Sequence, residues 1–361
     1  MRRQIPFIIV MPVYEDRETA SILIRELAAI KPVAPYVIAV EDGSVRVPLS
    51  VHDITGGGLS GEVLHLVRNM GHQRAIAVGL SYVDANFEAE SVVVMDSDGE
   101  DQPQSVAYLL DRLAKGDVDA VFAARRKRSE TFKFRAFYAA YKGIFALLTG
   151  RTITFGNFSA LSGLAVRRIA AMQEAWVHYA AALMVSRLRI ATVPTDRGKR
   201  YAGKPHMNFV SLSLHGLRSI MVFAEDTLVR VGLFSVAVAS LAIVLLAVAV
   251  SLKIIGFATP GWFSTAVGLL LLLVLQAGVL TFVTLMVSGF VKSSPPLSRA
   301  QIDQLIARIE RSCSDDLAMV SIDQCNGQRE VSRNTSSLSP KRLSKCSAGE
   351  GGDAPRAEEP D

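Results

Sequence analysis

The chain has 361 residues, half of them apolar, with 39 Lys and Arg against 34 Asp and Glu and a formal net charge of +5. That leaves room for one large folded domain with appendages, and a charge excess this small, scattered among acids, excludes the concentrated basic surface that nucleic-acid binding requires. Cys313, Cys325 and Cys346 all fall near the C-terminus without metal-ligand spacing, which fits free thiols in a reducing compartment.

Two arginines open the chain ahead of an apolar run that is too short for a secretory signal and enters an acidic segment, so it reads as a first β-strand. Apolar runs start at Phe7, Tyr36, Val63, Ser91 and Val118, and helical patterns over 19–30, 74–84 and 106–114 alternate with them. This βα rhythm predicts an α/β fold, a mainly parallel sheet flanked by helices, over residues 1–205. Residues 46–61 carry no helical pattern. Polar clusters close each run: PVYED, EDGS, RNMGHQ, DSDGED and RRKR. Ligands of open α/β sheets bind at the carboxyl ends of strands, so these clusters are the candidate site.

Met207, Val210, Leu214, Leu217, Met221, Ala224 and Leu228 recur at alternating steps of three and four, which marks an amphipathic helix over 206–229. It reads as a juxtamembrane helix lying at an interface, though the same pattern suits a helix packed on the domain. Val231 to Leu252 carries no charge, nor does the stretch between Lys253 and Lys292, so 230–292 is read as two membrane spans joined at Gly256, Pro260 and Gly261. Arg218, Arg230, Lys292 and Arg299 flank the outer ends while Lys253 alone lies in the connection. The positive-inside rule then makes this an integral protein of an inner or plasma membrane, with the domain and both termini cytoplasmic. Residues 298–312 suggest a short helix, and 293–361 as a whole a mostly disordered tail.

Asp96, Asp98, Glu100 and Asp101 crowd four acids behind the run SVVVM. Such a cluster is stable when solvated or when it binds a hard cation, and its oxygen ligands suit Mg2+ or Mn2+ completed by phosphate oxygens. A bare Asp-x-Asp is common by chance. Its place after the fourth run gives it weight. Glu41 and Asp42 could accept hydrogen bonds from a base or ribose, or simply form a turn. Asn69 and Gln73 could contact a nucleotide or cap a helix. Arg125 to Arg128 form a basic run, ordinarily a solvated face, that beside such a site becomes a phosphate clamp.

The ordered series MPVYED, EDGS, RNMGHQRAIAVGL, VVVMDSDGEDQP, GNFSALS and RYAGKPHMN, followed by two spans, resembles family 2 glycosyltransferases of the polyprenyl-phosphate sugar synthase type, such as the dolichol-phosphate mannose synthases. The resemblance covers roughly residues 5 to 292 and implies a GT-A fold, a nucleotide-sugar donor and inversion at the sugar carbon. It implies a divalent metal, Mg2+ or Mn2+, at Asp96, Asp98 and Glu100, where Glu100 replaces the family's Gln. Donor binding then falls to Pro12, Tyr14, Glu15, Glu41, Asp42, Asn69, Gln73 and Asp96. Asp98, Arg128 and Arg200 are the catalytic candidates, and Arg125, Arg128, Asn157, Arg200, Lys204 and His206 face the acceptor phosphate. Two departures stand out: Asn157 replaces the acid of the family's Gly-Asp-Phe, and His206 occupies the place of its Gly-x-Ser-Lys lysine, with Lys204 two positions earlier. Neither Trp176 nor Trp262 lies in the Gln-x-x-Arg-Trp pattern of processive synthases, which favours a single transfer.

A polyprenyl phosphate acceptor fits these departures. A phosphate monoester has a second pKa of about 6 and is already anionic, so it needs no general base, whereas a hydroxyl does. A homo-oligomer is compatible with the pattern. The alternatives are a transferase acting on a sugar, lipid or protein hydroxyl, with Asp101 or Glu174 as base, and a non-catalytic membrane scaffold that retains the fold.

Overall fold

The computed structural model describes residues 2–30, 34–125, 132–151, 156–202, 216–257, 259, 261–293 and 297–312. Strands β1 (Arg3–Val13), β2 (Tyr36–Glu41), β3 (Ser60–Leu66), β4 (Phe87–Val94) and β5 (Ala120–Arg125) realise the five expected runs. Helices α1 (Arg17–Leu27), α3 (His72–Asn86) and α4 (Pro103–Leu113) follow the first, third and fourth. One further helix, α2 (Val51–Gly56), lies where no helix was expected. It is started by a capping box in which Ser50 accepts from the helix backbone and Asp53 accepts from the Ser50 N–H. Beyond β5 come α5 (Phe132–Thr149), β6 (Ser159–Ser162), α6 (Gly163–Ala170), α7 (Glu174–Val177), α8 (Tyr179–Val185) and β7 (Ile190–Thr195).

With β8 (Ile306–Arg311) included, the eight-stranded sheet runs β7-β5-β6-β4-β1-β2-β3-β8, with β1 parallel to β2 and β4, β2 parallel to β3, and β5 parallel to β7. β6 is antiparallel to both its neighbours. This mixed sheet between helices is the GT-A-like fold. Alternation along β1 explains its two cores. Ile8 and Val10 face one layer with Ile38, Val92, Ile76 and Leu80. Phe7, Ile9 and Met11 face the other with Leu23, Leu27, Val106 and Leu109. Fully burying side chains of this size contributes roughly 1.5 to 3 kcal/mol each.

Two helices, Ala224–Ile254 and Trp262–Ser293, pack on each other after the sheet. At about 1.5 Å per residue, the 31 residues of the first exceed the ~30 Å hydrocarbon core, and both are long and apolar enough to cross a membrane. Little of their surface is covered by the rest of the chain, unlike that of a soluble core helix. Gly256 and Gly261, at φ of 87° and 85°, frame the turn between them. Of the expected amphipathic helix, 206–215 lie outside the described residues. In the remainder Leu217 and Met221 are exposed, while Phe223 packs edge-on against Phe145 of α5, with ring centroids 5.5 Å apart.

The chain after the second long helix departs from expectation. Only Arg299–Asp303 is helical, and Ile306–Arg311 forms β8, antiparallel to β3 at the sheet edge. Residues 297–312 are therefore structured, and the helix expected over 298–312 is corrected to a short helix followed by a strand. The remainder of the tail lies outside the described residues. β8 is held by more than its ladder: the Val51 N–H donates to Glu310 at 2.9 Å, and the Gly61 N–H to the Ser312 hydroxyl at 2.9 Å. Arg311 also approaches the fully buried Glu62, whose carboxylate accepts from the Tyr36 and Tyr82 hydroxyls and pairs with Arg3.

Candidate active site

Four loops meet at the carboxyl ends of β1 to β4. After β2 the buried Glu41 accepts from the backbone N–H groups of Ser44 and Leu49, at 3.0 and 2.7 Å. The buried Asp42 accepts from the N–H groups of Met70 and Gly71, at 2.7 and 2.9 Å, and so staples the β2 loop to the β3 loop. Burial pushes the Asp42 carboxyl up, against the pull of those two N–H donors and His72. Gly43 sits at φ 72°, and a Cβ there would lie 2.5 Å from the Asn69 nitrogen, so the two loops touch backbone to backbone. Glu15 joins the β1 loop to them by accepting from the N–H of Val45 at 2.8 Å while its own N–H donates to Ser44. Pro12 is buried at the end of β1; Tyr14 and Asn69 keep exposed side chains at the rim.

The acidic loop follows β4. The buried Asp101 accepts from the Asp96 N–H at 3.0 Å, and Asp98 accepts from the Glu100 N–H at 2.9 Å, which curls the loop on itself. Burial first, and the Asp96 carboxylate second, raise the pKa of Asp98. A carboxylate destabilised in this way gains from a nearby cation.

That cation is Arg200. Its guanidinium lies 3.3 Å from Asp98 and 2.9 Å from Asp16, linking the acidic loop to the β1 loop. Arg197 pairs with Glu100 through Nε at 3.1 Å, the Gly198 N–H donates to the Glu100 carbonyl, and the Tyr201 N–H to the Asp98 carbonyl. The Tyr201 hydroxyl reaches Glu26 at 2.6 Å. Its ring lies where a Cβ on Gly99, at φ 84°, would meet it at 2.3 Å, so the 197–202 segment is strapped flat over the acidic loop.

A second polar chain runs behind Asp96. The Tyr179 N–H donates to the Gln73 carbonyl oxygen at 2.6 Å, which turns the Gln73 amide NH2 toward Asn157 Oδ1 and the Asn157 NH2 toward His72 Nε2, at 2.9 Å. The same Nε2 lies 3.2 Å from Asp96 Oδ1. Burial alone would lower the His72 pKa, but Asp96, Asp101 and Asp42 outweigh it and the net shift is upward.

The geometry brings together Asp96, Asp98, Asn157, Gln73 and Arg200 from the sequence-predicted set. Glu41, Asp42 and Gln73 hold the loops in place, and Glu100 is engaged by Arg197. Among the described residues no three His, Cys, Asp or Glu side chains converge as a ready-made metal cage. A Mg2+ ion typically takes one or two carboxylates together with substrate phosphates, and Asp96 and Asp98 match that need. Arg128, Lys204 and His206 lie outside the described residues, and only the backbone of Arg125 is described, at the end of β5. Sequence reading missed Asp16, His72 and Arg197. His72 stood within the RNMGHQ cluster and Arg197 in the basic stretch before RYAGKPH, so both were in view without a partner to reveal their use.

Residues 8–174 match Glycosyl transferase family 2. An uncharacterised glycosyltransferase of Synechocystis sp. is 27% identical over 285 residues, covering 73% of this chain and 84% of that protein. The uncharacterised glycosyltransferase YkcC of Bacillus subtilis is 29% identical over 159 residues, 42% of this chain and 46% of its own length. Among solved structures, glucosyl-3-phosphoglycerate synthase of Mycobacterium tuberculosis in complex with Mn2+, UDP and phosphoglyceric acid is 16% identical, with a TM-score of 0.44 over 63% of this chain and 78% of that one. The same enzyme with Mg2+ and UDP gives 15% and 0.40, covering 63% and 79%. Residues 8–174 thus form a family 2 glycosyltransferase domain, and the chain is a glycosyltransferase.

Proposed function

We propose that this family 2 glycosyltransferase moves a sugar from a nucleotide-sugar onto a polyprenyl phosphate at the cytoplasmic face of a membrane, in a single inverting, metal-dependent transfer. The observation that carries the reading is Arg200 bridging Asp98 and Asp16 in the strap that leads from the domain toward the two apolar helices. It provides a cation beside the acidic loop, a few residues before the stretch of sequence that leads to the apolar helices. An anionic acceptor needs such a group.

In this reading Asp96 and Asp98 hold Mg2+ or Mn2+, which would neutralise charge on the departing nucleoside diphosphate. Tyr14, Glu15, Asp42 and Asn69 line the donor side, with Pro12, Glu41 and Gln73 fixing its loops. Arg200, with Arg125, Arg128, Lys204 and His206, receives the acceptor phosphate. The lipid phosphate attacks the anomeric carbon directly and needs no base. Support comes from the groups that could have served as one: Asp101 is buried and engaged by the Asp96 N–H, and position 157 carries an amide. A hydroxyl acceptor thereby loses its leading candidate for general base.

Cytoplasmic placement rests on the basic residues flanking the helix pair, and β8 supports a common side for both ends, because it pairs with a strand of the catalytic sheet. The test is purified full-length protein offered labelled nucleotide-sugars and a polyprenyl phosphate. Chelator-sensitive transfer of one sugar per lipid is expected. Transfer undiminished by chelator overturns the metal, and products bearing several sugars overturn the single transfer.

A further inference from the structure

Residues 42–50, between β2 and α2, form neither helix nor strand, yet this loop carries Asp42 and Gly43 of the donor side. Carboxylates hold it through its backbone. The N–H groups of Ser44 and Leu49 donate to Glu41, those of Val45 and Arg46 to Glu15, that of Ser50 to Asp53, and that of Val51, just past the loop, to Glu310 Oε2 at 2.9 Å. Glu15, Glu41 and Asp53 belong to the chain before the apolar helices, whereas Glu310 comes from beyond them. Its other oxygen is held by His65 at 3.1 Å and Arg308 at 2.8 Å, which leaves Oε2 aimed at Val51. The same segment reaches the neighbouring loop. The Val67 N–H, two residues before Asn69, donates to the Leu305 carbonyl at 3.0 Å, and Leu305 and Met70 pack against one core.

We infer that Glu310 is a positioning residue for the nucleotide-sugar, acting through the Val51 N–H to fix the β2 loop from the strand that follows the apolar helices. The inference rests on the donor reading above. A loop without regular structure keeps one shape only while its backbone polar groups are paired, because each released residue regains conformational entropy. Val51 opens α2, so its N–H is one of the donors that no carbonyl of the helix can reach. A carboxylate there makes the stronger, charge-assisted kind of hydrogen bond. Without it the loop samples other shapes, and the apparent affinity for a ligand of the held shape falls in proportion to the time spent in them. The shift does not stay local, since the β2 and β3 loops touch at Gly43 and Asn69 and are stapled by Asp42. Arg311 and Ser312 supply the contrast: they brace the other end of β3, at Glu62 and Gly61, away from these loops.

The experiment titrates purified full-length protein by calorimetry with UDP, GDP, TDP and ADP, each with Mn2+. Glu310→Ala should bind the tightest of them roughly three- to tenfold more weakly than the wild type. Glu310→Gln, whose amide oxygen can still accept from Val51, should recover most of that loss. Arg311→Ala removes a contact of the same strand and should lower Tm while leaving nucleotide affinity unchanged. Amide exchange without nucleotide gives a second reading: protection over 44–51 should fall in Glu310→Ala and persist in Arg311→Ala. Equal weakening by Glu310→Ala and Arg311→Ala overturns the inference, because the strand then acts only by stabilising the sheet. Glu310→Gln as weak as Glu310→Ala overturns the part given to the Val51 hydrogen bond. Wild type that binds none of these nucleotides overturns the donor reading itself, whereas equal binding by wild type and Glu310→Ala overturns only the positioning role.

Discussion

Arg200 joins the acidic loop to the β1 loop, and its two carboxylate partners define what its loss should do. Arg200→Ala leaves Asp98 and Asp16 without their shared cation, and a charge-assisted contact of this kind contributes about 1.5 to 3 kcal/mol. A ten- to hundredfold loss in kcat/KM for the lipid is expected, larger than any loss in donor affinity, as measured by steady-state kinetics against both substrates. A loss confined to donor affinity would reassign the arginine to the nucleotide diphosphate. Asp98→Ala should lower turnover about a hundredfold or more with circular dichroism unchanged. Asp98→Asn separates stability from function. Because the folded carboxyl titrates above its ordinary value, its contribution to stability is present below that value and is lost as pH rises through the folded pKa. At neutral pH in chelator, Asp98→Asn should therefore raise Tm slightly while abolishing metal-induced stabilisation; a lowered Tm would contradict the sign. Asp96, Asp98 and Arg200 were legible because acids after a strand and a basic stretch near a membrane carry their own chemistry. The engagement of Glu100 by Arg197, the Asp16 link and the His72 contact join residues far apart in sequence, and no local pattern announces them.

At the scale of elements, β8 changes where the tail begins to matter. Truncation after Ser312 should leave Tm within about 1 °C of the full chain, since only residues beyond the sheet are removed. Truncation after Gln304 uncovers the edge of β3 and removes Arg311 from the buried Glu62 cluster, a loss of about 2 kcal/mol or more read by thermal or denaturant unfolding. The edge should also loosen in acid. Burial would raise the Glu310 pKa, but the Val51 N–H, His65 and Arg308 outweigh it and the net shift is downward. Burial, then Arg308, lower that of His65. For both groups the stabilisation is present above the unfolded value and lost as pH falls through the folded one, from about 6.5 for His65 and about 4.3 for Glu310 downward. Hydrogen-exchange protection of the β8 amides, corrected for intrinsic rates, should fall across that range while the central strands keep theirs. β1 to β5 were readable from their apolar runs, yet β8 was not. Its sequence IARIER has few apolar residues, and its partner strand lies some 240 residues upstream, so only the assembled sheet reveals it. The α2 capping box, Ser50 with Asp53, was readable in principle and was obscured by a helix of only six residues.

For the whole molecule, the helix pair and β8 together constrain topology. A strand that follows the second helix and joins the sheet preceding the first requires both ends of the pair to lie on one side of any membrane they cross. Cys313, two residues past β8, should be labelled by a thiol reagent only after the cell membrane is permeabilised. Labelling in intact cells by an impermeant reagent would contradict the cytoplasmic assignment. That the enzyme acts on a lipid phosphate is the central proposal, and it rests on Arg200 beside the acidic loop and on the amide at position 157. The decisive measurement is the rate of sugar transfer to polyprenyl phosphate and to the matching polyprenol, with one donor and one protein preparation. The account predicts transfer to the phosphate and none above background to the alcohol; equal rates on both would contradict it.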